Sequence, residues 1–255
     1  MRRVVVKVGS HVLTEQGRLA RDRVSNLVEF LVDLKKEHEV ILVSSGAVAA
    51  GYSKLKIDKS VLGNRQAIAA VGQPYLMSVY AKKLAVHEIL TAQILLGASD
   101  FDSRKSTQNA KNTIETLLKN GAIPIINEND ATDISELVFG DNDQMSAHVA
   151  HYFGADILLI LSDIDGLYDK DPREFDDALM RKDVSVITDE DLDVPCNPND
   201  SFATGGIATK LKAAKFMLDR NSEMFMASGF ELKDVRSFML EGVHLNGTHF
   251  KRSVS

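Results

Sequence analysis

Several residue types and signatures are scarce or missing in this chain of 255 residues, and each absence excludes a class of protein. The single cysteine, Cys196, cannot form an internal disulfide or a cysteine-based zinc cluster. No apolar run approaches the ~20 residues that span a bilayer, which argues against a membrane partner. Residues 3–8 lack the apolar core of a secretory signal and are interpreted as a first strand, so we expect a cytoplasmic location.

Positive charge and aromatic residues are also in short supply. The formal net charge is −6, tryptophan is absent, and aromatic residues make up 6% of the chain. Nucleic-acid-binding proteins carry clustered lysine and arginine, often interleaved with aromatic rings that stack on bases. No such stripe occurs here, so a nucleic-acid partner is not expected.

The common nucleotide and hydrolase signatures are missing as well. The chain contains no G-x-x-x-x-G-K-[ST] phosphate loop, no G-x-G-x-x-G dinucleotide fingerprint and no G-x-S-x-G nucleophile turn. The seven histidines do not have the spacing of metal ligands, and His148 is interpreted as a packed or exposed side chain. The protein ligands of any metal stay unknown at this level.

Short apolar runs alternate with longer helical patterns, which predicts an α/β fold with a mainly parallel sheet. Predicted strands occupy residues 3–8, 39–44, part of 87–97, 122–126, 156–161 and 223–227. Predicted helices occupy residues 21–36, 63–85, 104–120, 141–153 and 206–219, with a break or bend at Gly72 and Pro74. With no repeat or linker, we expect one domain with two lobes, 1–150 and 151–255, that share a continuous sheet.

The end of the first predicted strand carries Lys7 and Gly9. In parallel sheets, ligands bind outside the carboxyl ends of the strands. Lys7 would then point into a cleft, and Gly9 would let a phosphate approach the backbone. The alternative is an ordinary lysine at a strand end followed by a turn glycine.

Ser45 and Gly46 stand between the second strand and a helix of small residues. Free N–H groups at a helix start and serine hydroxyls can bind an anion. A serine helix cap beside a turn glycine explains the same pattern. Both interpretations hold together, since one loop can do both.

An acidic, amide-rich block spans residues 127–143 and includes Asp130, Asn142 and Asp143. Its first residues directly follow an apolar strand. Carboxylate and amide side chains at that place could hold an amino group and orient a lysine. A solvated acidic loop remains the alternative, because its composition is the same.

Two further segments fit a nucleotide. Ser162 and Asp163 follow a buried strand, where they form either a turn or part of a base and ribose pocket. Thr204, Gly205 and Gly206 open a helix that contains Ile207 and Lys210. Glycines and a helix N-terminus suit phosphate oxygens, which makes this the strongest local phosphate signal of the chain.

Taken in order, these segments resemble the amino acid kinase family over nearly the whole chain. The matching segments are residues 6–10, 43–51, 69–73, 126–130, 140–143 and 204–210. The segments 69–73 and 127–143 resemble most specifically the branch of that family that phosphorylates free glutamate. The resemblance implies a three-layer αβα sandwich around a mainly parallel sheet.

The resemblance also implies a reaction and site residues. ATP would phosphorylate the γ-carboxylate of L-glutamate in the first step of proline biosynthesis. The implied catalytic residues are Lys7, Lys210 and Asp143. The implied glutamate ligands are Ser45, Gly46, Asp130 and Asn142. The implied ATP ligands are Lys7, Gly9, Ser162, Asp163, Thr204, Gly205, Gly206, Ile207 and Lys210.

Partners follow from the same resemblance. Mg²⁺ would bridge the phosphates of ATP, L-proline would act as a feedback inhibitor, and the chain would form a homo-oligomer, a dimer or a tetramer. Many family members carry an additional C-terminal domain of the PUA type, which is not expected in this chain. Two rival functions remain: a kinase of another small carboxylate, such as N-acetylglutamate or aspartate, and a non-catalytic amino-acid or nucleotide sensor.

Overall fold

The computed structural model describes residues 1–132, 142–172, 174–192 and 206–253. Its strands are β1 (Arg2–Val8), β2 (Thr14–Glu15), β3 (Arg18–Leu19), β4 (His38–Ser44), β5 (Thr91–Leu96), β6 (Ile123–Glu128), β7 (Ile157–Ser162), β8 (Asp183–Val184), β9 (Glu223–Ser228) and β10 (Thr248–Phe250).

The helices of these residues are α1 (Ser10–Leu13), α2 (Arg21–Lys35), α3 (Ala47–Tyr52), α4 (Leu62–Ala85), α5 (Ala98–Asp102), α6 (Arg104–Lys119), α7 (Asn142–Tyr152), α8 (Asp189–Leu192), α9 (Ile207–Asp219) and α10 (Lys233–Arg236). A single π-helical turn, Ser237–Glu241, follows α10. Within the described ranges, no helix has both the length and the apolar character needed to cross a lipid bilayer.

Eight strands form one sheet in the order β5-β6-β4-β1-β7-β9-β10-β8, and β2 pairs with β3 as a separate hairpin. Neighbouring strands are parallel throughout, except that β10 runs antiparallel to β9. β6 and β7 are buried along their whole length. Continuous apolar runs of this kind are typical of strands covered on both faces.

Helices cover both faces of the sheet, and the alternation of β1 shows how the layers divide. Val4, Val6 and Val8 belong to an apolar core that also includes residues of α2 and α4. Val5 belongs to the opposite core, together with residues of α6, α7 and α9. The predicted three-layer αβα sandwich with a mainly parallel sheet is therefore confirmed.

The strand order places a crevice beside the end of β1. The chain leaves β1 for β4 on one side, whereas β7 pairs with β1 on the other side. Ligands of open α/β sheets bind where the strand order reverses in this way. The sheet is continuous across the β1–β7 junction, while the division of the chain into an acceptor lobe and a nucleotide lobe stays a prediction.

Two glycines bring α3 and α4 into direct backbone contact. A Cβ atom on Gly51 would overlap the carbonyl oxygen of Ile68, and one on Gly72 would overlap that of Ala47. Neither position has room for a side chain. Of the predicted break or bend at Gly72 and Pro74, the break is absent, because α4 continues from Leu62 to Ala85 with Pro74 inside it.

Most predicted elements match the structure to within a few residues, and the exceptions are short. The elements that the sequence did not predict are α1, the β2–β3 hairpin, α5, β8, α8, α10, the π-helical turn and β10. β8 has two residues and β10 has three, which is too few to establish a periodicity of two.

Candidate active site

Lys7 lies on β1 two residues after Val5, so its side chain enters the same apolar layer, between β1 and α7. The lysine is 2% exposed. A buried ammonium is strongly unfavourable unless a negative charge and hydrogen bonds compensate for it. Its partner should therefore lie in the layer that faces it.

That partner is Asp143, in the first turn of α7. The Nζ atom of Lys7 lies 2.5 Å from Asp143 Oδ1, and the Nζ atom of Lys210 lies 3.1 Å from Asp143 Oδ2. Lys210 extends from the N-terminal part of α9 and is also almost fully buried. These three residues form the lysine–aspartate triad. In it, Lys7 and Lys210, which lie about two hundred positions apart in the sequence, contact the same carboxylate.

The triad keeps its carboxylate ionised. Burial by itself would raise the pKa of Asp143, but the charges of Lys7 and Lys210 and their hydrogen bonds hold it well below its usual range. Within the triad, two ammonium groups face one carboxylate, and the charge of Lys210 also acts on the Asp163 carboxylate. Buried ammonium groups held in this way can stabilise negative charge that develops next to them.

Thr209 is a member of this site that the sequence reasoning missed. Its hydroxyl lies 2.9 Å from Asp143 Oδ2 and 2.9 Å from the carbonyl oxygen of Gly206. It thus links the start of α9 to the carboxylate that orients both lysines. The available signal was its position next to Lys210 in the segment 204–210.

Next to the triad lies a set of uncharged polar side chains. The Nδ2 group of Asn142 donates to Ser45 Oγ at 2.8 Å and to Asn127 Oδ1 at 3.0 Å. Asn142 is 7% exposed, and none of the described residues donates a hydrogen bond to its Oδ1 atom. Buried polar atoms are almost always paired, so this oxygen is a candidate ligand atom for a donor on the substrate.

The loop after β4 is held by its own serines. Gly46 has a φ of +104°, a conformation that favours glycine, and it precedes α3. The Ser44 hydroxyl lies 2.9 Å from the Tyr80 hydroxyl and also donates to the Ser45 carbonyl. Ser44 is fully buried and its hydroxyl bonds Tyr80, whereas the hydroxyl of Ser45 accepts the hydrogen bond from Asn142.

Asp130 lies farther along the same edge, in the wall of a cavity of about 230 Å³. Gln73 and Gln93 also line this cavity, as do Glu128 and Asn129. The cavity lies beside the carboxyl end of β6, next to the side chains around Asn142. Asp130 is half-buried there.

The nucleotide residues predicted from sequence fall on the other side of the triad. A Cβ atom on Gly9 would lie 3.8 Å from Lys7 Nζ, so the glycine leaves space beside the ammonium. Its N–H group donates to the Leu161 carbonyl and is not directed at a ligand. Gly206 precedes α9, and Ile207, its first residue, packs against the core.

Ser162 and Asp163 end β7, and the Ser162 hydroxyl donates to Asp163 Oδ1 at 2.8 Å. Burial by itself would raise the pKa of Asp163, but this hydrogen bond and the charge of Lys210 lower it overall. Asp163 also approaches His11 Nδ1 at 3.3 Å. Thr204 and Gly205 lie outside the described residues, as do Gly140 and Asp141.

Within the described ranges, no group of three or more histidine, cysteine, aspartate or glutamate side chains could hold a metal ion. His148 instead contacts the rings of Phe101, Tyr152 and Phe216.

Comparison with known proteins identifies the family of this chain. The model of the amino acid kinase family matches residues 2–228. The chain belongs to the amino acid kinase family. The match includes both lysines and the aspartate of the triad.

Within the family, relatives share far more than the motifs. A glutamate 5-kinase of Wolinella succinogenes is 59% identical, and the match covers 98% of each chain. A glutamate 5-kinase of Leishmania donovani is 53% identical over all of this chain and 97% of its own length. The protein named glutamate 5-kinase 2 of Bacillus licheniformis is 46% identical over 61% of its length.

Solved structures of the same fold are more distant in sequence. An X-ray structure of an isopentenyl phosphate kinase superposes with a TM-score of 0.66 at 13% identity, and the match covers 98% of this chain and all of that one. At this identity the likeness concerns the fold alone. It agrees with the sandwich described above.

Proposed function

We propose that this family member transfers the γ-phosphoryl group of ATP to the γ-carboxylate of L-glutamate. The products are L-glutamyl 5-phosphate and ADP, and the reaction is the first step of proline biosynthesis. The names of the full-length relatives support the substrate. The observation that carries the chemistry is the buried triad, in which Asp143 orients two ammonium groups.

A carboxylate is already a nucleophile, so the reaction needs no general base. One γ-carboxylate oxygen forms a bond to the γ-phosphorus, and the bond from that phosphorus to the β,γ-bridging oxygen breaks, which leaves ADP. Catalysis is then a matter of positioning and charge stabilisation. Lys7 and Lys210 stabilise the negative charge on the transferred group, and Asp143 orients both lysines.

On the acceptor side, Ser45, Gly46, Asp130 and Asn142 would hold glutamate. The α-ammonium group of the substrate has three donors, and the Asn142 Oδ1 atom lacks one among the described residues. Asp130 adds a carboxylate on the same edge of the sheet. These features favour an acceptor with a free amino group.

On the nucleotide side, ATP would lie over Gly9, Ser162 and Asp163 and against the loop Thr204, Gly205, Gly206 and Ile207. Lys7 and Lys210 would reach its phosphates. Mg²⁺ would arrive with the nucleotide and supply charge neutralisation between the phosphates. We assign it no protein ligand.

The first experiment measures ADP release from Mg-ATP with glutamate, N-acetylglutamate, aspartate, bicarbonate with ammonia, and UMP. Hydroxylamine is added to convert an acyl phosphate into a hydroxamate. We expect a hydroxamate that depends on glutamate. ADP formation with another acid would favour a kinase of that acid, and glutamate binding without ADP formation would favour a sensor.

Regulation and assembly belong to the same proposal. We expect millimolar L-proline to inhibit the reaction, and the chain to form a dimer or a tetramer in the cytoplasm. Unchanged activity at millimolar proline would contradict the first expectation. A monomer in analytical ultracentrifugation would contradict the second.

A further inference from the structure

We propose that Gln73 and Gln93 are positioning residues that set which atom Asn142 presents to the acceptor substrate. They do so through an amide relay, defined as Gln93, Gln73, Asn127 and Asn142. In its observed direction, the relay uses the NH₂ group of Asn142, so the Asn142 Oδ1 atom is available to accept a hydrogen bond from the amino group of the substrate. This inference rests on the proposed function, because it concerns how glutamate is recognised.

The relay is a continuous series of hydrogen bonds that all run in one direction. Gln73 Nε2 donates to Gln93 Oε1 at 3.1 Å, and Asn127 Nδ2 donates to Gln73 Oε1 at 3.0 Å. Asn142 Nδ2 donates to Asn127 Oδ1 at 3.0 Å and to Ser45 Oγ at 2.8 Å. The Asn127–Gln73 and Asn142–Asn127 bonds are buried.

The chemistry of the amide makes the members turn together. Each side-chain amide has an oxygen that only accepts and an NH₂ group that only donates. If one member rotated alone, it would place two oxygens or two NH₂ groups against each other in a buried site. The relay therefore has two satisfied arrangements: the observed one and one in which all four amides are reversed.

The two arrangements differ in what the substrate meets. In the observed one, Asn142 uses its NH₂ group on Ser45 and Asn127, and its buried Oδ1 atom has no donor among the described residues. In the reversed one, Asn142 would offer NH₂ hydrogens in place of that oxygen. An ammonium group on the acceptor needs the oxygen, since a donor cannot bind a donor.

The far end of the relay is accessible to a substitution. Gln93 is exposed on β5, so water can satisfy the part of its amide that does not contact Gln73. Gln73 and Gln93 border the cavity whose wall also carries Glu128 and Asp130.

Two substitutions at the exposed end test the direction. Glu at position 93 can only accept, so Gln93→Glu retains the observed direction, and KM for glutamate should stay within about twofold of wild type. Lys can only donate, so Gln93→Lys forces Gln73 to turn its oxygen outward, and the reversal passes along the relay. We expect a rise of about tenfold in KM for glutamate, with kcat and KM for ATP nearly unchanged.

Glutarate, which is glutamate without its amino group, has no ammonium group for the Asn142 oxygen to accept from. In Gln93→Lys, the inhibition constant of glutarate should not rise, so the preference for glutamate over glutarate should fall at least about tenfold. KM for glutamate separates the relay from a simple charge effect: an added lysine attracts the net negative charge of glutamate and would lower KM, whereas reversal of the relay raises it. A Gln93→Lys chain with a KM for glutamate at or below the wild-type value would overturn the proposal.

A second pair of variants tests the middle of the relay. Gln73→Met keeps the length of the side chain and removes both of its hydrogen bonds, and we again expect KM for glutamate to rise about tenfold. Gln108→Met is the matched control, because Gln108 donates to the Asn112 amide on the exposed surface of α6. It should leave both KM values unchanged. Equal KM for glutamate in the two variants would contradict a role for Gln73.

The outcomes for the proposed function and for the relay can be told apart. A folded wild-type chain without glutamate-dependent turnover overturns both. An active wild type whose Gln93→Lys and Gln73→Met variants keep wild-type KM and preference overturns the relay alone. Thermal unfolding and KM for ATP are measured on each variant, so that a misfolded chain is not mistaken for a positioning effect.

Discussion

The lysine–aspartate triad and the amide relay are two buried polar regions that meet at neighbouring residues, Asp143 and Asn142. The triad consists of full charges, and its members compensate one another through ion pairs. The relay is neutral, and its members are held by single hydrogen bonds of about 3 Å. The same helix start, in α7, supplies one residue to each.

The difference between the charged triad and the neutral relay suits two different chemical tasks. Charges stabilise a developing negative charge strongly but with little directional preference, which suits phosphoryl transfer. Neutral amides have a donor end and an acceptor end, which suits the recognition of one functional group over another. On the proposed function, loss of a triad member should mainly lower kcat, and loss of a relay member should mainly raise KM for glutamate.

The largest effect tests the charge balance of the triad. Asp143→Asn removes the carboxylate charge that both buried ammonium groups face, and we expect the free energy of unfolding to fall by about 3–5 kcal/mol. Because the folded-state pKa of Asp143 is lowered, its stabilisation is fully present above the unfolded-state pKa of about 4 and is lost progressively as the pH falls from there toward the folded-state pKa. Urea unfolding at pH 7 and pH 3 measures both effects, and the difference between wild type and variant should narrow at pH 3.

Lys210→Ala tests the charge that faces the phosphoryl group. We expect kcat to fall by about 10²–10³, by analogy with the removal of an oxyanion donor, while KM for glutamate changes little. Lys212→Ala on the same helix is the control, because Lys212 is exposed. Near-normal turnover of Lys210→Ala would mean that the triad does not carry the chemistry.

Gly72→Ala tests the support of the relay, because Gly72 packs α4 against α3 next to Gln73. A methyl group there overlaps the Ala47 carbonyl oxygen, and overpacking of this kind costs about 1–3 kcal/mol. Gly63→Ala, at the second residue of the same helix, meets no atom within 4 Å and should not destabilise the chain. Equal midpoints of the two variants in thermal unfolding would contradict the close contact.

The smallest effect concerns a buried hydrogen bond that belongs to neither region. Tyr80→Phe removes the bond between the Tyr80 and Ser44 hydroxyls, and we expect a loss of about 1 kcal/mol in the free energy of unfolding. Burial raises the pKa of Tyr80, so the ring is neutral at any working pH and the loss should not depend on pH. A changed KM for glutamate would extend the relay to Ser44.

Much of the fold could be predicted from the sequence, because the strands are apolar runs that helices cover on both faces. The triad residues were identified through their motifs, and the structure adds that Lys7 and Lys210 meet on opposite oxygens of Asp143. Those three side chains have no local pattern in common. Their convergence depends on the strand order, which the sequence does not state directly.

The relay could not be predicted in the same way. Asn127 and Gln73 are 54 residues apart, and their bond depends on where α4 lies against β6. Gly51 and Gly72 allow the close contact of α4 with α3, which is one of the contacts that position α4. The segment 69–73 stood out as part of a motif, but a motif does not say that its glutamine bonds an asparagine. The hydrogen bond from the Gly9 N–H group to the Leu161 carbonyl oxygen could not be predicted either, because it depends on the pairing of β1 with β7.

Because Asn142 and Asp143 are consecutive residues, the distance between the two parts of the site to which they belong is constrained. Consecutive Cα atoms are separated by about 3.8 Å, a distance fixed by covalent geometry. One side chain of the pair would bind the amino end of the acceptor, and the other aligns the lysines at its reacting end. On the proposed function, we therefore expect an acid one methylene shorter to reach only one of these two side chains, because the peptide unit between Asn142 and Asp143 fixes where both begin.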